Sequence, residues 1–150
     1  MTAITRHSAT VARYLLGAAF TVFGLNGFFH FIPMNTPPPA PALSFFGAMM
    51  ATGYLFQLIK ATEVIVGLLL LSNRFVPLAL TLLAPVMVNI LLFHAFLAPS
   101  GLPLPIILLA AHLYAAWSYR DAFAPMLRSR VEPAQPDAAS SRAGRTVTAH

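Results

Sequence analysis

Lys60 and Glu63 are the only formal charges between Leu43 and Leu71, and their flanks, Gly53-Tyr54-Leu55-Phe56 and Val64 to Leu71, are apolar enough for lipid. An ammonium and a carboxylate three positions apart can hold a polar ligand and manage a proton beside it, one group donating and the other accepting. A charge at the centre of a spanning helix costs roughly 2.5 to 3.5 kcal/mol on insertion scales, so the pair is expected to face protein groups or water. Lys before Glu is also the weaker order within one helix, because the reverse order suits the helix dipole. Polar partners are therefore expected from other helices. The chain offers Asn26, His30, Gln57, Asn89, His94 and His112 for that role.

Asn26 and His30 are four apart, and Gln57, Lys60 and Glu63 step by three, so each set shares one helix face. At a rise of about 1.5 Å per residue, Glu63 and His112 fall near the middle of their spans and Lys60 and Asn89 about one turn outward. Gln57 and Asn26 lie farther out, and His30 and His94 at the outer mouth. This predicts a pocket open to the outer face and closed on the cytoplasmic side. Singly, several of these residues have a plainer reading. His112 alone reads as a core histidine bonded to a neighbouring helix, and His30 and His94 as solvated interfacial groups. With no carboxylate at their depth the two histidines do not make a metal site, and no metal is expected. Phe28, Phe29, Phe31, Phe45, Phe46, Tyr54 and Phe56 read as packing or lipid-facing surface, and would also suit a flat ring ligand beside a polar pocket.

The elements that must carry these residues are legible from composition. Of 150 residues, 58% are hydrophobic and only 9% charged, and the mean hydropathy is +0.75; soluble domains carry about a quarter charged residues. The fold class expected is an all-α, four-helix transmembrane bundle, with a short interfacial helix after the first span and a disordered C-terminal tail. The first span runs from Tyr14 to Phe31; it is long enough to be mature structure, and no leader cleavage is expected. Ile32 to Ala42 is a proline-rich extended loop. Leu43 to Ala51 is too short to span and reads as the interfacial helix, a lid over the pocket, with a break at Thr52-Gly53. The second span covers Gly53 to Leu71, the third Phe75 to Ala98 with a kink at Pro85, and the fourth Leu104 to Tyr119, closed by Trp117, Tyr119 and Arg120. The domain boundaries that follow are a cytoplasmic segment at 1–10, a membrane domain at 11–127 and a disordered tail at 128–150.

Arg6 and Arg13 precede the first span, Arg74 lies between the second and third, and Arg120, Arg128 and Arg130 follow the fourth, whereas the other two connections carry no Lys or Arg. Both termini are therefore expected in the cytoplasm. The net charge of +5 sits beside apolar segments instead of forming a basic stripe, so nucleic acid is not an expected partner; the lipid bilayer is. The chain contains no cysteine, which excludes thiolate chemistry in this subunit.

The runs Gly24-Leu25-Asn26-Gly27-Phe28-Phe29-His30-Phe31-Ile32-Pro33-Met34, Thr52 to Glu63 with Gly67 to Leu71, and Ala84-Pro85-Val86-Met87-Val88-Asn89-Ile90-Leu91-Leu92-Phe93-His94 resemble the DoxX family of small four-span membrane proteins over about residues 10–122. The resemblance implies a four-helix membrane bundle. The family takes its name from a subunit of a thiosulfate:quinone oxidoreductase, and other members are linked to thiol or oxidative-stress handling with a soluble partner enzyme.

The function expected is thus an inner-membrane, redox-associated subunit binding a quinone or another small polar-headed ligand, with a soluble redox partner protein. Lys60 and Asn89 would be its donors, and Glu63 and His112 its proton-handling pair. The alternative is a non-catalytic scaffold or small-solute carrier whose buried polar residues are structural. Catalysis and homo-oligomerisation are left open by the sequence. The orientation is directly testable in a chain without native cysteine. A cysteine at Ser100 should react with an impermeant thiol reagent added to intact cells, and labelling only after lysis would put that turn on the inner side.

Overall fold

The computed structural model of the chain describes residues 3–33 and 37–130. It is helical, with no strand among the described residues: α1 (Ala3–Phe29), α2 (Ala40–Ala51), α3 (Leu55–Leu71), α4 (Val76–Phe96), α5 (Pro103–Ser118) and α6 (Arg120–Phe123). Single turns of 3-10 helix, Pro99–Gly101 and Ala124–Leu127, precede α5 and follow α6. Prolines mark the starts: Pro41, Pro77 and Pro103 sit in the first turns of α2, α4 and α5, where the missing N–H would have had no helical acceptor. α4 runs unbroken through Pro85.

The ends are set by local hydrogen bonds. α1 closes where the amide of His30, in the left-handed region at φ 51°, donates to Asn26 O at 2.9 Å, and the Asn26 Oδ1 accepts the amide of Ile32 at 2.7 Å. Between α2 and α3, Gly53 takes φ 77° and the Thr52 hydroxyl accepts the first amide of α3, from Leu55, at 3.0 Å; the two helix axes bend by 94°. The break expected at Thr52-Gly53 is therefore present, and α2 lies across the mouth of the bundle. α1 begins eleven positions before the expected first span. Nothing between Ala3 and Arg13 breaks a helix, so the fold continues through residue 10, where a separate segment was expected to end. Of the tail expected to be disordered at 128–150, residues 131–150 lie outside the described residues.

The four long helices form a closed ring in which α1 packs on α3 and α5, and α4 on α3 and α5. The closest seam joins α1 to α3, antiparallel. Gly17 faces Leu71 and Gly67, Thr21 faces Gly67, Gly24 faces Val64, and Gly27 faces Lys60. Without hydrocarbon-to-water transfer to drive association inside lipid, helices depend on such small residues for close backbone approach.

The packing is uneven along the ring. Leu16, Phe20, Val66, Leu70, Leu83 and Met87 are buried together in the half that holds the start of α1 and the end of α3, while the other half encloses space. Outside, Leu15, Ile65, Leu82, Val88, Ile107 and Leu113 are exposed, an apolar girdle fit for lipid. Two helices are long and apolar enough to cross a membrane, His7–Phe29 and Val76–Phe96, and the bent α2–α3 pair makes a third if taken as one span. α5 is apolar but has 16 residues, about 24 Å at the helical rise.

Arg13 departs from its expected place on a flank. It is buried inside the ring, where Nη1 donates to the carbonyl of Leu70 and lies 3.5 Å from that of Leu71; its guanidinium sits 4.3 Å from the centre of the Tyr14 ring. A cation at the final carbonyls of α3 opposes the negative end of the helix dipole. The short turn that follows needs this support, because Asn73 (φ 57°) and Phe75 (φ 51°) are both left-handed, and a bulky aromatic residue enters that region only under constraint.

A Cβ added at Gly67 would lie 2.6 Å from the Thr21 backbone nitrogen, whereas nothing lies within 4 Å of one at Gly47. Gly67→Ala should lower stability by about 1–3 kcal/mol, the range for an overpacked contact that cannot relax, and Gly47→Ala should not. Thermal unfolding of both variants in one detergent measures the difference; equal melting would mean that the α1–α3 seam is not closely packed.

Candidate functional site: a polar cavity at the open end of the bundle

Glu63 is the central residue of α3 and its side chain is 3% exposed; that of Lys60, one turn earlier, is 20% exposed. Two glycines of α1 make this possible. Gly24 leaves room for the Glu63 Cβ, which would lie 3.1 Å from a Cβ there, and Gly27 leaves room for the Lys60 stem, whose Cδ would lie 2.5 Å from one. Pressed against α1 in this way, the lysine delivers its Nζ to both carboxylate oxygens, at 2.8 Å to Oε2 and 3.1 Å to Oε1. The same Nζ stands 5.8 Å from the centre of the Phe56 ring, a favourable contact for a cation.

This pair answers the question of partners differently from the sequence reading. Lys60 and Glu63 satisfy one another within α3, and no side chain of another helix bonds to either among the described residues. The unfavourable Lys-then-Glu order is overridden because in lipid the alternative for each group is no partner at all. An ammonium has three N–H donors, so two bonds to Glu63 leave one for a ligand.

The pair forms part of the wall of a cavity of about 560 Å³ in the loosely packed half of the ring. Asn26, Asn89 and His94 line the same space, so residues from α1, α3 and α4 meet as the depth estimate required. α2 roofs it with Phe45, Phe46 and Met49, Pro37 to Pro39 edge its mouth, and Phe20 and Leu108 close its floor against the packed half. Phe46 lies 5.0 Å from Phe93 and 6.4 Å from Phe56, centre to centre, so the roof is held by ring contacts. The aromatic set thus divides: Phe45, Phe46 and Phe56 border the cavity, while Phe28, Phe29, Phe31 and Tyr54 are exposed on the outside.

Three candidates lie elsewhere. Gln57 and His30 are exposed and line no part of the cavity, His30 because its left-handed backbone ends α1. His112 is buried on α5, one turn beyond Leu108 and so beneath the floor, and its Nδ1 has no hydrogen-bond partner among the described residues. It does not pair with Glu63, whose charge is met by Lys60.

The remaining polar groups have different freedoms. Asn26 is partly spent on closing α1 through Ile32. His94 Nδ1 donates to the carbonyl of Ile90 at 2.8 Å, which leaves Nε2 of the neutral ring as an acceptor; that nitrogen would be 3.0 Å from a Cβ at Gly101. Asn89 is exposed, and its amide has no partner among the described residues. The cavity therefore presents a cation, a free amide and an imidazole acceptor around an aromatic and aliphatic lining. Sequence reading missed Arg13, the loop prolines and the two glycines. The spacing Gly17, Thr21, Gly24, Gly27 on α1 was the signal available for the last.

No protein-family model, curated protein or solved structure matches this chain.

Removing one member of a buried pair strands the other charge and costs about 3–5 kcal/mol, whereas replacing both with apolar groups of similar volume is close to neutral. Lys60→Met and Glu63→Leu should each melt well below the parent, and the double variant should recover. Additive losses in the double variant would mean that each residue is held by contacts other than its neighbour.

Proposed function

We propose that this chain is a multi-pass inner-membrane protein of the DoxX type, whose cavity holds a quinone or a similar small ring with hydrogen-bond-accepting oxygens. The observation that carries this reading is the placing of the Lys60–Glu63 pair in the wall of a cavity instead of a sealed contact. A volume of about 560 Å³ falls within the range of ordinary small-molecule sites, about 300–1,000 Å³. The lining suits a flat ring, with aromatic surface above and polar groups at the side. Four crossings with both ends in the cytoplasm agree with the ring of four helices and with the gathering of Arg13, Arg74 and Arg120 at its packed end. They also agree with a cavity confined to the opposite half.

In this reading Lys60 Nζ and the Asn89 amide donate to the ligand's oxygens, and Lys60 holds the proton nearest to them. Glu63 accepts two of that lysine's hydrogen bonds and holds its ammonium in place. Phe20 and Leu108 separate the site from the packed half and limit water from that side. A bound quinone would supply reversible two-electron redox chemistry, with a soluble partner protein as the electron source that the family resemblance implies. His112 lies outside the cavity and has no part in this scheme.

A structural reading has one observation in its favour, the mutual satisfaction of Lys60 and Glu63 within α3; it makes the chain a scaffold with an incidental cavity. The folded Lys60→Met/Glu63→Leu protein separates the two. Binding of a benzoquinone ring to the purified parent, followed by quenching of its tryptophan or by calorimetry, should weaken at least about tenfold in that variant, the equivalent of one net hydrogen bond to a charged group. Unchanged affinity in a folded double variant would remove Lys60 and Glu63 from the binding scheme, and absence of binding to the parent would sink the quinone reading in favour of the scaffold.

A further inference from the structure

Beside the cavity, and sharing Phe45, Met49, Ile59, Asn89 and Ile90 with it, lies a second space of about 330 Å³ in the seam between α3 and α4, beneath α2. Its remaining walls are Leu55, Pro85 and Val86, so apart from Asn89 it is apolar. Pro85 and Asn89 are exposed, and Leu58, Val88 and Leu92 around them are too, which puts the crevice on the lipid-facing flank of the ring.

Asn89 is the junction. It belongs to both spaces, it has no partner among the described residues, and it stands seven residues before the end of α4 at Phe96, about 10 Å deep at the helical rise. An amide left bare against hydrocarbon costs several kcal/mol. A polar head in the cavity would satisfy it, and a chain continuing from that head would leave along the crevice.

We propose that the ligand is a lipid-borne amphiphile: a ring headgroup beside Lys60 and Asn89, and a single apolar chain that leaves the bundle between α3 and α4, under α2, along Leu55, Pro85 and Val86. The inference rests on the cavity being a ligand site, and adds that access is lateral, from the bilayer. Because lipid is as apolar as the crevice, the chain adds little affinity of its own. The crevice matters by permitting a long-chain ligand to seat its head at all.

Two probes separate head from chain: a dimethoxy-methyl-benzoquinone without a chain, and the same ring carrying a decyl chain with a diazirine at its end. In the parent protein, in nanodiscs, photolysis of the second should label α3 around Leu55 and α4 between Pro85 and Ile90. Competition by the chainless ring should remove that label. Labelling confined to the cavity floor at Phe20 and Leu108, or to α5, overturns the lateral route. A bulky ring placed in the crevice, by Val86→Trp on α4 or Leu55→Trp on α3, should lower affinity for the decyl ligand by at least about tenfold relative to the chainless ring, since a packed site cannot accommodate both. An unchanged ratio in a folded variant, with both probes bound, overturns the chain's path and leaves the cavity reading standing. Absence of binding by either probe to the parent overturns both.

Discussion

The close approach of α1 and α3 is the constraint on which the structure depends. Where Gly17, Gly24 and Gly67 let backbone meet backbone, the two helices act as one wall, and α4 and α5 complete the ring around it. The same approach presses the Lys60 stem against Gly27 and so directs its ammonium to Glu63. At the other end of the seam it brings Arg13 to the final carbonyls of α3. One contact surface thus positions three of the five buried or half-buried charged and imidazole side chains among the described residues, and it does so with residues that carry no chemistry.

The seam also explains why one half of the ring is solid and the other hollow. Toward the start of α1, large side chains such as Leu16, Phe20, Leu70 and Leu83 fill the middle. Toward its end, α2 is folded across the opening at 94° to α3 and touches α4 through Phe45 and Phe46 on Phe93. The roof is held by ring contacts and by the buried Ala42 and Met49, whereas the floor at Phe20 belongs to the core.

Much of this was legible because lipid simplifies the code. Long uncharged runs, prolines at their starts and a polar break at Thr52-Gly53 were enough to mark α2, α3, α4 and α5 to within a few residues. Counting rise per residue was enough to bring Asn26, Lys60, Glu63, Asn89 and His94 into the same half of the bundle. It could not say which way each side chain turns about its helix, and there Gln57 and His112 were misplaced. Arg13 was read as a flanking charge because one-dimensional hydropathy cannot tell an arginine at a boundary from one folded inward onto another helix's end. The mutual pairing of Lys60 with Glu63 was discounted on a rule drawn from solvated helices, in which water competes for both charges; inside the bundle that competitor is absent.

That the pair is local has a consequence for how the chain reaches the membrane. A lysine whose carboxylate waited on another helix would enter the bilayer as a bare cation and stay one until the bundle assembled. With the salt bridge closed three residues away, α3 arrives carrying its own counterion and is neutral from the moment it forms. Its insertion need not await α4 and α5, still on the ribosome, and the glycines of α1, already delivered, can receive it at once.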